Sequence, residues 1–182
     1  MNGETTMSSH TARSSMRRRA ALAFGAMVAA LAVSAANAAL TPVYRFYHLD
    51  AGRHFYTASE TEKVKVQTTY PRFAYEGIAF YAYSTQDAGT IPVYRFYHQL
   101  NGSHVYTASE AEKASIIANF PVYAYEGIAY YAEGNGNTGA VALYRLYNTK
   151  LGTHFFTTSQ PEANNATTQW PWFAYELSLI HI

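Results

Sequence analysis

The sequence has no cysteine, which excludes disulfides, thiolate metal sites, a cysteine nucleophile and a lipidated cysteine together. Charge is also scarce: Asp, Glu, Lys and Arg make up 14% of the 182 residues, 13 basic against 12 acidic. A nucleic-acid binder usually carries a basic excess, so this balance argues against that class. The longest apolar run, residues 20–33, has 14 residues and falls short of a hydrocarbon core of ~30 Å. What the chain has in quantity is aromatic surface. Its 17 Tyr and 10 Phe can bury enough area to exclude a disordered chain.

The N-terminal segment has the layout of a secretory signal. Arg17-Arg18-Arg19 supplies the positive region, the run 20–33 the apolar core, and Ala36-Asn37-Ala38 a small-x-small cleavage site. The expectation is a signal peptide over 1–38, general export to the periplasm or outside, and no membrane span after cleavage. Removing 1–38 leaves 9 basic and 11 acidic residues, which suits a neutral extracytoplasmic protein and no polyanion partner.

Beyond the leader the chain repeats itself, which sets the reading of everything else. Pro42-Val43-Tyr44-Arg45-Phe46-Tyr47-His48 recurs 50 residues later as Pro92-Val93-Tyr94-Arg95-Phe96-Tyr97-His98, and again as Ala142-Leu143-Tyr144-Arg145-Leu146-Tyr147-Asn148. Residues 41–90 and 91–140 share 26 of 50 positions, and a third copy begins at 141. Each copy reads as strand, turn, strand, helix, strand. Aromatic and branched residues over 43–48 favour a strand, 49–52 is turn chemistry, and 54–57 returns as a second strand. Ser59-Glu60-Thr61-Glu62 reads as a capping box, with Glu62 reaching back to the cap amide. The helix should stop at Tyr70-Pro71, and 73–83 should be the closing strand with Gly77 at a bulge. The linker over 133–139, with its Gly and Asn, is expected to be mobile.

The last six residues, Leu177-Ser178-Leu179-Ile180-His181-Ile182, break this pattern and resemble a translated sequencing adapter. The expectation is therefore a repeat domain over 39–176 (repeats 41–90, 91–140 and 141–176), a truncated last unit with an open edge, and a non-native tail over 177–182. One unit cannot bury its own aromatic face, whereas three can by closing around an axis. The expected fold is mainly β with one short helix per repeat: a single pseudo-threefold domain of three ββαβ units of about 50 residues, closed like a β-trefoil. An open solenoid is the alternative.

The motifs resemble a family of secreted, mostly bacterial repeats of unknown function. Its marks are present in the first copy as Tyr44-Arg45-Phe46-Tyr47, His54-Phe55-Tyr56-Thr57, Ser59-Glu60-Thr61-Glu62 and Tyr75-Glu76-Gly77. The third copy departs, with Leu146 for Phe, Asn148 for His and Gln160 for Glu. The resemblance implies an extracellular or cell-wall location beside hydrolase domains, and it carries no catalytic residues.

Four polar positions recur in all three copies: Arg45, Arg95 and Arg145; His54, His104 and His154; Thr57, Thr107 and Thr157; Glu76, Glu126 and Glu176. Arginine mid-strand in a low-charge core needs a partner, so Glu76, Glu126 and Glu176 are candidates for structural pairing with it. The same kit flanked by Tyr47, Tyr97 and Tyr147 also suits a sugar, whose apolar face lies on a ring while planar groups bond its hydroxyls. The candidate ligand-binding set is thus Tyr47, His54 and Arg45; Tyr97, His104 and Arg95; and Tyr147, His154 and Arg145. A zinc site on these histidines or on His48 has little support, since His48 becomes Asn148 and no carboxylate sits at ligand spacing. No metal or cofactor is expected. No nucleophile elbow, His-Glu-x-x-His or phosphate loop occurs, and equivalent carboxylates lack the asymmetry of a glycosidase. The sequence therefore points to a non-catalytic module with repeated weak sites for an extracellular or wall glycan. The alternative is a structural or protein-interaction scaffold, and a hydrolase is the remote third reading.

Overall fold

The computed structural model describes residues 39–134 and 139–181. The expected signal peptide and the tip of the expected mobile linker, 135–138, lie outside the described residues.

In the first repeat, β1 (Leu40–His48) and β2 (Arg53–Thr57) form an antiparallel hairpin, α1 (Glu60–Thr69) follows, and β3 (Phe73–Tyr83) returns antiparallel to β1. The second repeat has β4 (Thr90–His98), β5 (His104–Thr107), α2 (Glu110–Asn119) and β6 (Tyr123–Glu133) in the same arrangement. The third has β7 (Ala142–Asn148), β8 (Thr153–Thr157), α3 (Gln160–Gln169) and β9 (Phe173–His181). The chain is mainly β, with antiparallel pairing throughout and a short helix in each repeat. One expectation needs revision. β9 pairs with β7 as far as His181, past the point where the repeat pattern ends at Glu176, so the third unit has its closing strand. Extended backbone is all the ladder requires, and Leu177-Ser178-Leu179-Ile180 contains neither proline nor glycine to prevent it.

Local chemistry explains each joint. At the hairpin turn, His48 Nδ1 accepts from the Ala51 N–H at 3.2 Å, and His98 does the same for Asn101. Asn148 Oδ1 serves Lys150 and Leu151 at 3.1 Å each, so the His-to-Asn change keeps an acceptor where the turn needs one. The helix begins where the Ser59 hydroxyl accepts from the Glu62 N–H at 3.2 Å. The other half of the expected capping box is absent. The Ser59 N–H donates instead to Thr57 Oγ1 at 3.0 Å, which leaves the Glu62 carboxylate free to go elsewhere. The same substitution occurs at Thr107–Ser109 and Thr157–Ser159.

The closing strand carries the expected bulge. Arg45 pairs with Gly77 and Phe46 with Tyr75, so Glu76 is the extra residue, and Gly77 sits at φ +102°. A bulge re-aims one side chain out of the pleat, and here that side chain is the recurring glutamate. The second repeat repeats the device, with Arg95 opposite Gly127 and Phe96 opposite Tyr125.

The backbones of the closing strands pair near their ends, through Tyr83 opposite Tyr131 and Glu133 opposite His181. Packing does more to join the repeats. A central core draws Val43, Tyr56 and Phe80 from the first repeat, Val93, Tyr106 and Tyr130 from the second, and Leu143 and Phe156 from the third. The rings of Tyr56, Tyr106 and Phe156 meet one another edge to face, with centroids 5.8, 5.5 and 5.7 Å apart. Each repeat keeps its own satellite core as well, where Phe46, Phe55 and Val66 pack with Phe73 under α1. Burying side chains of this size is worth roughly 1.5–3 kcal/mol each, so the central cluster contributes more than the strand-end contacts to holding the repeats together.

Candidate functional site

The recurring polar residues come together where one repeat meets the next. In the first repeat the bulge swings Glu76 towards β1, so that Glu76 Oε2 lies 2.9 Å from Arg45 Nε and 3.4 Å from His54 Nε2. Arg95 and His104 hold Glu126 at 2.7 and 3.4 Å, and Arg145 and His154 hold Glu176 at 2.7 and 3.3 Å. Tyr47, Tyr97 and Tyr147 lie against these histidines, ring centres 5.1, 5.2 and 5.1 Å away. Each expected trio of Tyr, His and Arg is thus assembled around its own glutamate. All three tyrosines and all three histidines keep partial solvent access.

A second glutamate, read from the sequence only as a helix cap, completes each cluster from the neighbouring repeat. Arg45 donates to both oxygens of Glu162 at 3.2 Å, Arg95 to those of Glu62 at 2.8 and 3.1 Å, and Arg145 to those of Glu112 at 3.2 and 2.9 Å. The first repeat therefore holds the third, the second holds the first, and the third holds the second. The recurring Thr57, Thr107 and Thr157 were the sequence's clue to this arrangement, because they satisfy the cap amide and release the carboxylate.

Electrostatics follow the geometry. Burial pushes the Glu76 carboxyl up, but His54 and Arg45 outweigh it and hold it below its ordinary value. The imidazoles of His104 and His154, with Arg95 and Arg145, hold Glu126 and Glu176 down in the same way. Burial also opposes charge on Glu62 and on Arg95, yet each holds the other ionised: the carboxyl is lowered and the guanidinium raised. Carboxylates in this state accept hydrogen bonds and are poor proton donors.

Two of the grooves are open cavities. The groove between repeats 1 and 3 has a volume of about 530 Å³ and brings Arg45, Tyr47, His54 and Glu76 opposite Phe155, Trp170 and Trp172. Those are the only two tryptophans in the chain. Phe155 forms its floor, 4.8 Å from the His54 ring and 5.4 Å from the Arg45 guanidinium. The groove between repeats 2 and 1, about 340 Å³, is built from equivalent positions: Tyr97, His104 and Glu126 face Arg53, Tyr70 and Phe73. Its floor is Phe55, 4.9 Å from His104 and 5.6 Å from Arg95. At the third junction the equivalent of these two rings is Val105, so Arg145 and His154 have no aromatic floor there. Among the described residues, no three His, Asp or Glu side chains cluster as metal ligands.

A family model for a domain of unknown function, DUF5648, matches residues 2–133 and 42–178. The chain belongs to this family. No curated relative and no solved structure matches it. The two overlapping matches to DUF5648 agree with internal repetition, since the same stretch can be aligned in two registers. Within this DUF5648 chain, the residues that sequence reasoning missed are those that make each groove different: Arg53, Trp170 and Trp172. They do not recur, and a search for recurring residues passes over them.

Proposed function

We propose that this chain is a secreted, non-catalytic module that binds extracellular or cell-wall glycan in the grooves between repeats, its three units closing in a β-trefoil-like ring. The observation that carries this reading is the groove between repeats 1 and 3. There, Trp170 and Trp172 line the cavity together with Tyr47 and with polar groups already held in place, Arg45, His54 and Glu76. An apolar cavity with a few oriented polar groups is the usual form of a small-ligand site. A pyranose offers the matching surface, C–H groups on one face and hydroxyls around its rim. The depressed carboxyls of Glu76, Glu126 and Glu176 support a binding role, because a glycosidase acid needs a raised one. Repetition adds avidity where a polymer reaches more than one groove.

Tryptophan fluorescence tests the proposal directly, because both tryptophans line one groove. Titration with neutral wall oligosaccharides should give a saturable change that Trp172→Ala and Tyr47→Ala remove without unfolding the chain. A flat response to every oligosaccharide and polysaccharide tried would overturn it. A scaffold role is the second reading, favoured by the cyclic Arg–Glu links, which use the polar groups to knit repeats together.

A further inference from the structure

Five arginines lie among the described residues, and four have carboxylate partners: Arg45, Arg95 and Arg145 on the recurring glutamates, and Arg72 on Asp50 at 3.1 Å. Arg53 is the exception. It opens β2, lines the groove between repeats 2 and 1, and its Nε is buried with no acceptor. Its guanidinium lies against Gly102, and the Tyr97 hydroxyl borders the same glycine. The fold does not call for arginine at this position. The equivalent residues are Ser103 and Thr153, both buried, at 1% and 6% exposure.

The remaining charges of the groove leave Arg53 uncompensated. Glu62 and Glu126 are both committed to Arg95. Lys65, on the α1 side of the same groove, makes no ion pair with a described carboxylate and adds a second positive charge. Burial pushes the Arg53 guanidinium down, the mark of a cation short of counter-charge. Hydrogen-bond donors stand nearby in the Tyr97 hydroxyl and in His48, whose Nδ1 is occupied by the Ala51 N–H so that its proton sits on Nε2. In the 1–3 groove the places of Arg53 and Lys65 are taken by Thr153 and Asn165, and tryptophans replace Tyr70 and Arg72. The two cavities share a frame, but outside the Arg–Glu pairs the 1–3 groove carries Lys150, set over the Trp172 ring at 5.1 Å, whereas the 2–1 groove carries Arg53 and Lys65.

We propose that the groove between repeats 2 and 1 is an anion-accepting site in which Arg53, aided by Lys65, binds the carboxylate or sulfate group of an acidic saccharide. The inference rests on the glycan reading for the sugar, while the anion itself is argued from Arg53. A planar guanidinium with free N–H groups matches the paired oxygens of either group, and the ring of Tyr70 or Phe73 supplies a wall for the attached sugar.

The test is side-chain nitrogen NMR on the intact chain, following the Arg53 Nε–H signal. Separate titrations use inorganic sulfate, a uronate oligomer, a sulfated oligomer and a neutral oligomer of the same linkage. The expected result is a saturable shift of the Arg53 signal with at least one anionic probe and none with the neutral one. Arg53→Thr, which installs the residue of the third repeat, should weaken that binding at least tenfold, and Lys65→Asn should weaken it less. The two arms with oligomers separate carboxylate from sulfate recognition. An unmoved Arg53 signal, or equal anion binding by wild type and Arg53→Thr, overturns the proposal. The readouts separate this site from the other groove. Loss of the tryptophan response alone would remove the neutral-sugar reading, whereas a tryptophan response with a silent Arg53 would remove only the anion site.

Discussion

The Tyr56 hydroxyl donates to the carbonyl of Phe156 and accepts from its N–H, both at 2.9 Å, so one side chain ties the first repeat to the third. Tyr106 treats Tyr56 in the same way, at 2.6 Å to its carbonyl and 3.1 Å from its N–H. The third place in this cycle is held by Phe156, which has no hydroxyl to offer Tyr106. Burial pushes the Tyr56 and Tyr106 hydroxyls far up, so both remain protonated donors. Tyr56→Phe should destabilise the chain by about 1–3 kcal/mol, since it strips partners from two buried backbone groups. Phe156→Tyr should stabilise it by up to about 1 kcal/mol, a rise of ~2–4 °C in melting temperature. Thermal denaturation of both variants measures this, and a lower melting temperature for Phe156→Tyr would show that the central core has no room for the added oxygen.

The Arg95–Glu62 link should show strong coupling for a pair that is not fully enclosed. Its side chains are 16% and 31% exposed, between a surface pair worth ~0–1 kcal/mol and a buried one whose breakage costs about 3–5. A double-mutant cycle with Arg95→Met and Glu62→Met should therefore give a coupling of about 1–3 kcal/mol by chemical denaturation. A value near zero would make the cyclic links incidental to assembly.

Acid should weaken the fold before any other pH change does. Glu62, Glu76, Glu126 and Glu176 are all lowered from 4.5 in the folded chain. Their stabilisation is complete above the unfolded value and is lost as pH falls through the lower folded ones. Denaturation midpoints should be flat from neutral pH to about 5 and fall steeply below about 4. Glu126→Gln should lower stability at neutral pH and flatten that acid slope.

Gly77 should resist substitution for a reason of backbone alone. An added Cβ meets nothing within 4 Å, but φ +102° is a conformation that other residues rarely adopt. Gly77→Ala should cost about 1–2 kcal/mol and should shift the Glu76 carboxylate away from Arg45. Stability and the Arg45 Nε–H resonance report the two effects separately.

Most of the architecture was legible in the sequence because repetition exposed it three times over. Proline at 71, 121 and 171 ended the helices, and glycine at 77 and 127 marked the bulges. Arg45, His54 and Glu76 were legible as a set but their second glutamate was not. Ser59…Glu62 has the spacing of a reciprocal cap, and only the placement of Thr57 beside the Ser59 amide shows that the cap needs half of it. Trp170, Trp172 and Arg53 were hidden for the opposite reason: each occurs in a single copy, and groove specificity depends on residues that break the pattern. The end of β9 escaped notice because a ladder accepts side chains that a motif does not.

Each helix is moored in its own module by a residue such as Val66 or Ile116, yet its acidic arm grips the guanidinium of the following one. A single fifty-residue copy cut from this chain would hold out an acid with nothing to grasp and an arginine half served. Each module is thus finished by its neighbours, through charges that its own residues leave half satisfied.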